Sequence, residues 1–105
     1  MDKAKQERLE QAGWRSGDAA DFLDLSEQEQ AFVELKLALA DYLRQLRVTH
    51  AWTQAEVARK LHSSQSRVAK MEAADASVSI DLLVKSLLIL GASRSEVGNV
   101  IARAA

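Results

Sequence analysis

Apolar residues recur at steps of three and four along much of the chain, which is the spacing of one face of an α-helix. Over residues 27–48 the repeat runs through Phe32, Leu35, Leu39, Leu43 and Leu46. Shorter stretches with this spacing follow at about 53–61, 65–73, 79–90 and from residue 93 onward. Proline is absent and only four glycines occur, so we expect an almost entirely helical chain, an all-α fold.

Start and stop signals flank these stretches. Three Ser/Thr-x-x-Glu sequences, at Ser26–Glu29, Thr53–Glu56 and Ser93–Glu96, predict capping boxes in which side chain and backbone satisfy each other's free amides. Ser79 is placed to cap the helix that ends near Leu90, and Gly91 suits the left-handed position that follows. The pattern therefore predicts five core helices.

The segment "KLHSSQSR", residues 60–67, interrupts the helical pattern for only three or four residues. So short a connection makes two helices cross steeply, which is the geometry of a helix-turn-helix. Ala58 supplies the small residue where they touch, and Val68 and Met71 should face the core. The opposite face of the second helix then presents amide, hydroxyl and cationic side chains, which suit the edges of bases in the DNA major groove.

Charge is unevenly distributed, although the net charge is only −1. Residues 1–41 carry five basic and ten acidic side chains, whereas residues 42–72 carry six basic and two acidic ones. The predicted helix-turn-helix is thus the positive part of the chain. An anionic partner is plausible there, and a charged face without any partner is the simpler alternative.

The segments "WTQAEVARKLHSSQSRVAKMEA" (52–73) and "SVSIDLLVKSLLILGAS" (77–93) resemble the XRE family, the Cro/repressor-type helix-turn-helix regulators. The resemblance covers roughly residues 35–95 and rests on the spacing of Gln54, Ala58, Val68, Met71 and Glu72. It implies a five-helix, lambda-repressor-like DNA-binding domain over residues 31–105, with the helix-turn-helix at about 53–73. Residues 1–30 would form an acidic N-terminal helical extension.

The same resemblance implies roles for individual residues. Gln54 should bond a phosphate, and Gln65, Ser66 and Lys70 should hold the base-reading positions. Ser63, Ser64 and Arg67 should contact the DNA backbone or flanking bases, with both serines capping the second helix. Arg47 and Glu72 should form a partly buried structural ion pair.

Two positions depart from the family pattern. His62 stands in the inter-helix turn, and Ala51 after the long helix, where glycine is common in this family. A positive φ is expected at both, which costs a residue with a Cβ some stability.

For several side chains the sequence allows two interpretations. Trp52 is expected in the core, with stacking on a base as the alternative, and Arg59 and Lys60 are either solvated or on phosphate. Trp14 either anchors the extension or lies in a partner interface. For a dimer surface the candidates are Val97, Val100 and Ile101 with Leu88 or Leu90, which otherwise only complete the monomer core.

Catalysis is not expected, because the chain has no cysteine, no phosphate-binding glycine loop and no histidine near a recognisable nucleophile. No metal site is expected from His50 and His62, and no cofactor. The N-terminus has no signal-peptide pattern and no segment is apolar enough to span a bilayer, so we expect a cytoplasmic protein without membrane contact.

The sequence thus predicts a sequence-specific double-stranded DNA-binding transcriptional regulator, expected to repress. One short helix reads few base pairs, so we expect a homodimer on an inverted repeat. The acidic extension also resembles that of antitoxins of the host-inhibition-of-growth type, which implies a small basic toxin as partner and autoregulation of the shared operon. The alternative is a protein-interaction module that uses this fold with little DNA reading.

Overall fold

Hydroxyl side chains begin each of the five helices that follow the N-terminal segment. The computed structural model describes residues 3–11 and 26–104, and these ranges contain six helices and no strand: α1 (Lys3–Gln11), α2 (Glu27–Thr49), α3 (Gln54–Lys60), α4 (Gln65–Glu72), α5 (Ile80–Ile89) and α6 (Arg94–Arg103). The N-cap residues of α2–α6 are Ser26, Thr53, Ser64, Ser79 and Ser93. The all-α prediction is confirmed. Trp14, expected either to anchor the extension or to lie in a partner interface, is outside the described residues.

Of the three predicted capping boxes, only the last is complete among the described contacts. The Ser93 hydroxyl accepts from the Glu96 amide at 3.0 Å, and the Glu96 carboxylate accepts from the Ser93 amide at 3.2 Å. At Thr53 the hydroxyl donates to the Glu56 carboxylate instead, and at Ser26 only the bond from the Glu29 amide forms. An N-cap needs only the hydrogen bond from a backbone amide to the side-chain oxygen, and this bond is present at all three sites. The three helices therefore begin where expected.

Four helices end in the same way, with one residue in the left-handed region. Ala51, His62, Ala74 and Gly91 have φ of 57°, 53°, 54° and 104°, and the amide after each bonds a carbonyl five residues earlier. This is the Schellman motif. The positive φ predicted at Ala51, His62 and Gly91 is confirmed, whereas the one at Ala74 was not foreseen.

The core forms around α2, which contacts α4, α5 and α6, while α3 packs on α4. Its largest fully buried side chains are Leu39, Leu43, Met71, Leu83, Leu87, Val57 and Val68. Ala58, Val68 and Met71 are buried as expected, so α4 is fixed against α3 by one face and leaves the other free.

Phe32 belongs to the apolar repeat that predicted this amphipathic helix, but it is 57% exposed. The buried row of α2 begins one residue later, at Val33, and continues through Leu37 and Ala40. One residue is about 100° around a helix, so Phe32 points away from the neighbouring helices. Lys36 lies on the buried side instead, and desolvation lowers the pKa of its ammonium group, an effect that Asp75 partly opposes.

One ion pair joins the N-terminal helix to the five-helix core. The Arg8 guanidinium contacts the Asp41 carboxylate of α2 at 2.7 Å, and it lies 3.5 Å from the carbonyl oxygen of Glu72 at the end of α4. This contact places α1 beside α2 and the last turn of α4.

Candidate nucleic-acid interface

The turn between α3 and α4 determines the direction of α4. His62 adopts the left-handed conformation, and the Ser63 amide bonds the Ala58 carbonyl at 2.8 Å. Ser64 then caps α4 by accepting from the Arg67 amide at 3.1 Å. Of the two serines expected to cap this helix, Ser64 is the N-cap, and Ser63 belongs to the closing turn of α3.

The face of α4 away from the core is polar and exposed. Gln65, Ser66, Arg67 and Lys70 are all exposed, as is Ser64, while Val68 and Met71 on the other side are buried. Within the described residues no side-chain hydrogen bond holds Gln65 or Ser66. The amide, hydroxyl and cationic groups of this face are therefore available to an external partner.

Arg47 and Glu72 form a two-bond ion pair behind this face. The Arg47 Nε and Nη2 donate to the Glu72 carboxylate at 2.6 and 3.0 Å, and the two side chains are only 18% and 6% exposed. The Arg47 Nη1 also donates to the Trp52 carbonyl at 3.2 Å, and the bonds to Glu72 raise the pKa of the guanidinium. The pair links the end of α2 to the end of α4.

Gln54 lies at the first turn of α3 and extends this network. Its amide nitrogen is 3.5 Å from a Glu72 carboxylate oxygen, and its side chain is half-buried. Gln54, which was expected to bind a phosphate, thus makes a long hydrogen bond within the protein. This bond connects the first turn of α3 to the end of α4. Nothing in the sequence spacing indicated that Gln54 and Arg47 share Glu72.

A family model described as a helix-turn-helix domain matches residues 38–99, which is more than half of the chain. The chain belongs to the helix-turn-helix domain family. The matched domain is of the XRE/Cro-like type and is characteristic of DNA-binding regulators. No curated protein and no solved structure matches the chain significantly.

In this helix-turn-helix, α3 and α4 are the paired helices, with α4 as the second helix of the motif. Lys70 lies in the last turn of α4, near Asp75. Hydrogen bonds from Ser77 lower the pKa of the Asp75 carboxyl most, and the charges of Lys70 and Lys36 lower it further. Arg59 and Lys60 are exposed on α3. The cations thus flank both helices of the motif.

Trp52 is half-buried against the core rather than free. Its ring stacks on His50 with centroids 4.4 Å apart, and the Lys60 Nζ lies 4.6 Å from the ring centroid. These contacts favour the core interpretation of Trp52 over stacking on a base.

The candidate dimer residues divide into two groups. Val97, Val100 and Leu90 are buried in the monomer core, whereas Leu88 and Ile101 remain 41% and 40% exposed. Only the second group has apolar surface to offer a partner.

No group of three or more potential metal-binding side chains occurs within residues 3–11 and 26–104. None of the helices described is long and apolar enough to cross a bilayer.

Proposed function

We propose that the chain is a sequence-specific repressor that binds double-stranded DNA as a homodimer through α4. The observation that carries this proposal is the exposed row of α4, where Gln65, Ser66, Arg67 and Lys70 stand on a helix held rigidly from behind. Long amides and cations read base edges in the major groove, and cations also bind phosphates.

Each residue then has a proposed role. Gln65, Ser66 and Lys70 read bases, because they occupy the outer face of the recognition helix. Ser63, Ser64, Arg67 and Gln54 contact the backbone near the first turns of α4 and α3, where free amides favour phosphate. The Arg47–Glu72 pair fixes the angle between α2 and α4 and takes no part in contact with DNA.

Two copies are needed, because one recognition helix spans too few base pairs for specificity. Two-fold dimers of helix-turn-helix domains place their recognition helices about 34 Å apart, one turn of DNA. Leu88 and Ile101 are the exposed apolar residues that we assign to the dimer surface.

Selection from a random duplex pool at near-physiological salt tests this function. Bound DNA should be enriched in an inverted repeat whose half-sites lie about one helical turn apart. A well-folded protein that enriches no sequence would refute operator reading and favour the interaction-module alternative.

The acidic N-terminal residues support a second proposal, that the chain is an antitoxin. Residues 1–41 carry ten acidic and five basic side chains, which complements a small basic toxin, and the Arg8 contacts attach part of this segment to the DNA-binding domain. Purification of the chain together with the product of the adjacent gene should recover a complex. Two proteins that elute separately would count against the antitoxin role and leave the DNA-binding proposal intact.

A further inference from the structure

A cavity of about 270 Å³ lies between the helix-turn-helix and α5. Four apolar side chains line it: Leu61, Met71, Leu82 and Ile89. Ile89 is 61% exposed, although it is one of the larger apolar residues of α5. The lining of the cavity is thus partly apolar, as the lining of ligand pockets generally is.

The opening of this cavity is cationic. Arg67 from α4 and Lys85 from α5 both line it, together with His62 from the turn. No acidic residue is among the residues that line the cavity. Three elements therefore contribute residues with hydrogen-bond donors, two of them cationic, to a cavity that Ser63 and Ser86 also line.

We infer that this cavity binds a small amphiphilic carboxylate, with the carboxylate at Arg67 and Lys85 and a short alkyl chain on Leu82 and Ile89. An anion without an apolar part would leave the walls exposed to water, and a neutral apolar molecule would leave the cations without a partner. The volume corresponds to about nine water-sized groups, which matches a chain of roughly six carbons with its carboxylate.

Arg67 connects this site to DNA. Arg67, which we assign to the DNA backbone, also lines the cavity, so a bound carboxylate would compete with phosphate for it and add negative charge beside the operator. Because binding is reciprocal, a ligand that weakens DNA binding is itself weakened by DNA. The inference that the cavity binds a carboxylate depends only on the residues that line it. The effect on DNA binding rests in addition on the proposed function.

Calorimetric titration of the DNA-free protein with acetate, butyrate, hexanoate and octanoate tests the site directly. We expect affinity to rise about two- to fourfold for each methylene until the cavity is full, with hexanol binding more weakly than hexanoate. Acetate or inorganic phosphate binding as tightly as hexanoate, hexanol binding as tightly as hexanoate, or no binding at millimolar concentration would each overturn the inference.

Matched variants locate the binding. Lys85→Ala should weaken hexanoate binding about two- to fivefold, whereas Arg94→Ala removes the same charge from an exposed position outside the cavity and should change little. Ile89→Ser should weaken binding further, with Val48→Ser, at a comparably exposed residue of α2, as its control. Equal effects within either pair would place the ligand elsewhere.

A second titration separates the site from the proposed function. Hexanoate added to the protein on its selected duplex should lower DNA affinity, and Lys85→Ala should reduce that effect. A protein that binds hexanoate but no duplex would contradict the proposed function and retain the site. Duplex binding without hexanoate binding would contradict only the site.

Discussion

At the scale of single residues, the Arg47–Glu72 ion pair joins the end of α2 to the end of α4 and helps to fix the orientation of α4. Its carboxylate is nearly inaccessible to solvent and accepts three hydrogen bonds, two from Arg47 and a long one from Gln54. Removing one partner of such a pair is more destabilising than removing both, because a buried charge is left unpaired.

Glu72→Gln should therefore lower the free energy of unfolding by about 3 kcal/mol. Urea denaturation measures it, with Glu27→Gln at an exposed position of α2 as the control, expected within about 0.5 kcal/mol of the parent. The double variant Arg47→Met, Glu72→Met should recover part of the loss. A Glu72→Gln change no larger than that of the control would show that the pair is not structural.

At the residues with positive φ that follow the helices, a substitution is expected to stabilise the protein rather than destabilise it. Ala51 and His62 have a positive φ, and both residues are exposed. Glycine at either position would therefore relieve backbone strain without loss of core contacts. Ala74 is 1% exposed, and glycine there would also remove a buried methyl group.

Ala51→Gly and His62→Gly should each raise the free energy of unfolding by about 0.5–1 kcal/mol. Thermal and urea denaturation measure the change. Ala73→Gly, at an exposed neighbour with φ of −83°, is the control and should be neutral or destabilising. A loss of stability in both of the first two variants would mean that the side chains contribute contacts that outweigh the strain.

At the scale of helices, α2 and α6 are joined by the hydrogen bond from the Tyr42 hydroxyl to the Glu96 carboxylate, 2.8 Å long. This hydrogen bond lowers the pKa of the Glu96 carboxyl and raises the pKa of the Tyr42 hydroxyl, and it is the largest cause of each shift. Glu96 thus contributes stability above its ordinary pKa of 4.5, and the contribution falls as pH falls through the lower folded value. Tyr42 contributes below its ordinary pKa of 10.0, and loses the contribution as pH rises through the higher folded value.

Tyr42→Phe should therefore lower the melting temperature near pH 7, and the difference from the parent should shrink in acid and again in strong alkali. Melting curves between pH 3 and pH 11 measure it. A difference that is constant across this range would mean that packing of the ring, rather than the hydrogen bond, stabilises the contact.

Substitutions in α4, the proposed recognition helix, should distinguish residues that read bases from residues that bind phosphate. Gln65→Ala should relax sequence preference and leave the salt dependence of binding nearly unchanged, because a base contact releases no counterion. Arg67→Ala should weaken binding to all sequences alike and reduce the salt slope by roughly one. Binding to operator and non-operator duplexes across salt concentrations measures both effects, and an identical loss of preference in the two variants would contradict this division.

At the scale of the whole molecule, helix positions and caps were predictable because they depend on neighbouring residues. Ser79, Ser93 and Gly91 act where the local pattern placed them. Burial was less predictable, because it depends on which helices pack together. Phe32 and Val33 are equally apolar neighbours, and only the arrangement of α4–α6 around α2 decides that Val33 is inside.

The candidate site shows the same division between local and long-range information. The exposed face of α4 follows from the positions of Val68 and Met71, which the sequence pattern indicates. The contact of Gln54 with Glu72 joins α3 to α4, and the cavity is lined by Arg67 of α4 and Lys85 of α5. No spacing along the chain indicates such contacts, so they required the folded molecule.

The measurement that most directly tests the account is the change in backbone amide NMR signals when the selected duplex is added to labelled protein. The largest changes should lie at residues 53–56 and 63–70, the first turn of α3 and the exposed face of α4 with the turn before it. Changes in α1 and in the buried part of α2 should be small. Changes concentrated in α1 or α6, with α4 unaffected, would contradict α4 as the DNA-reading element.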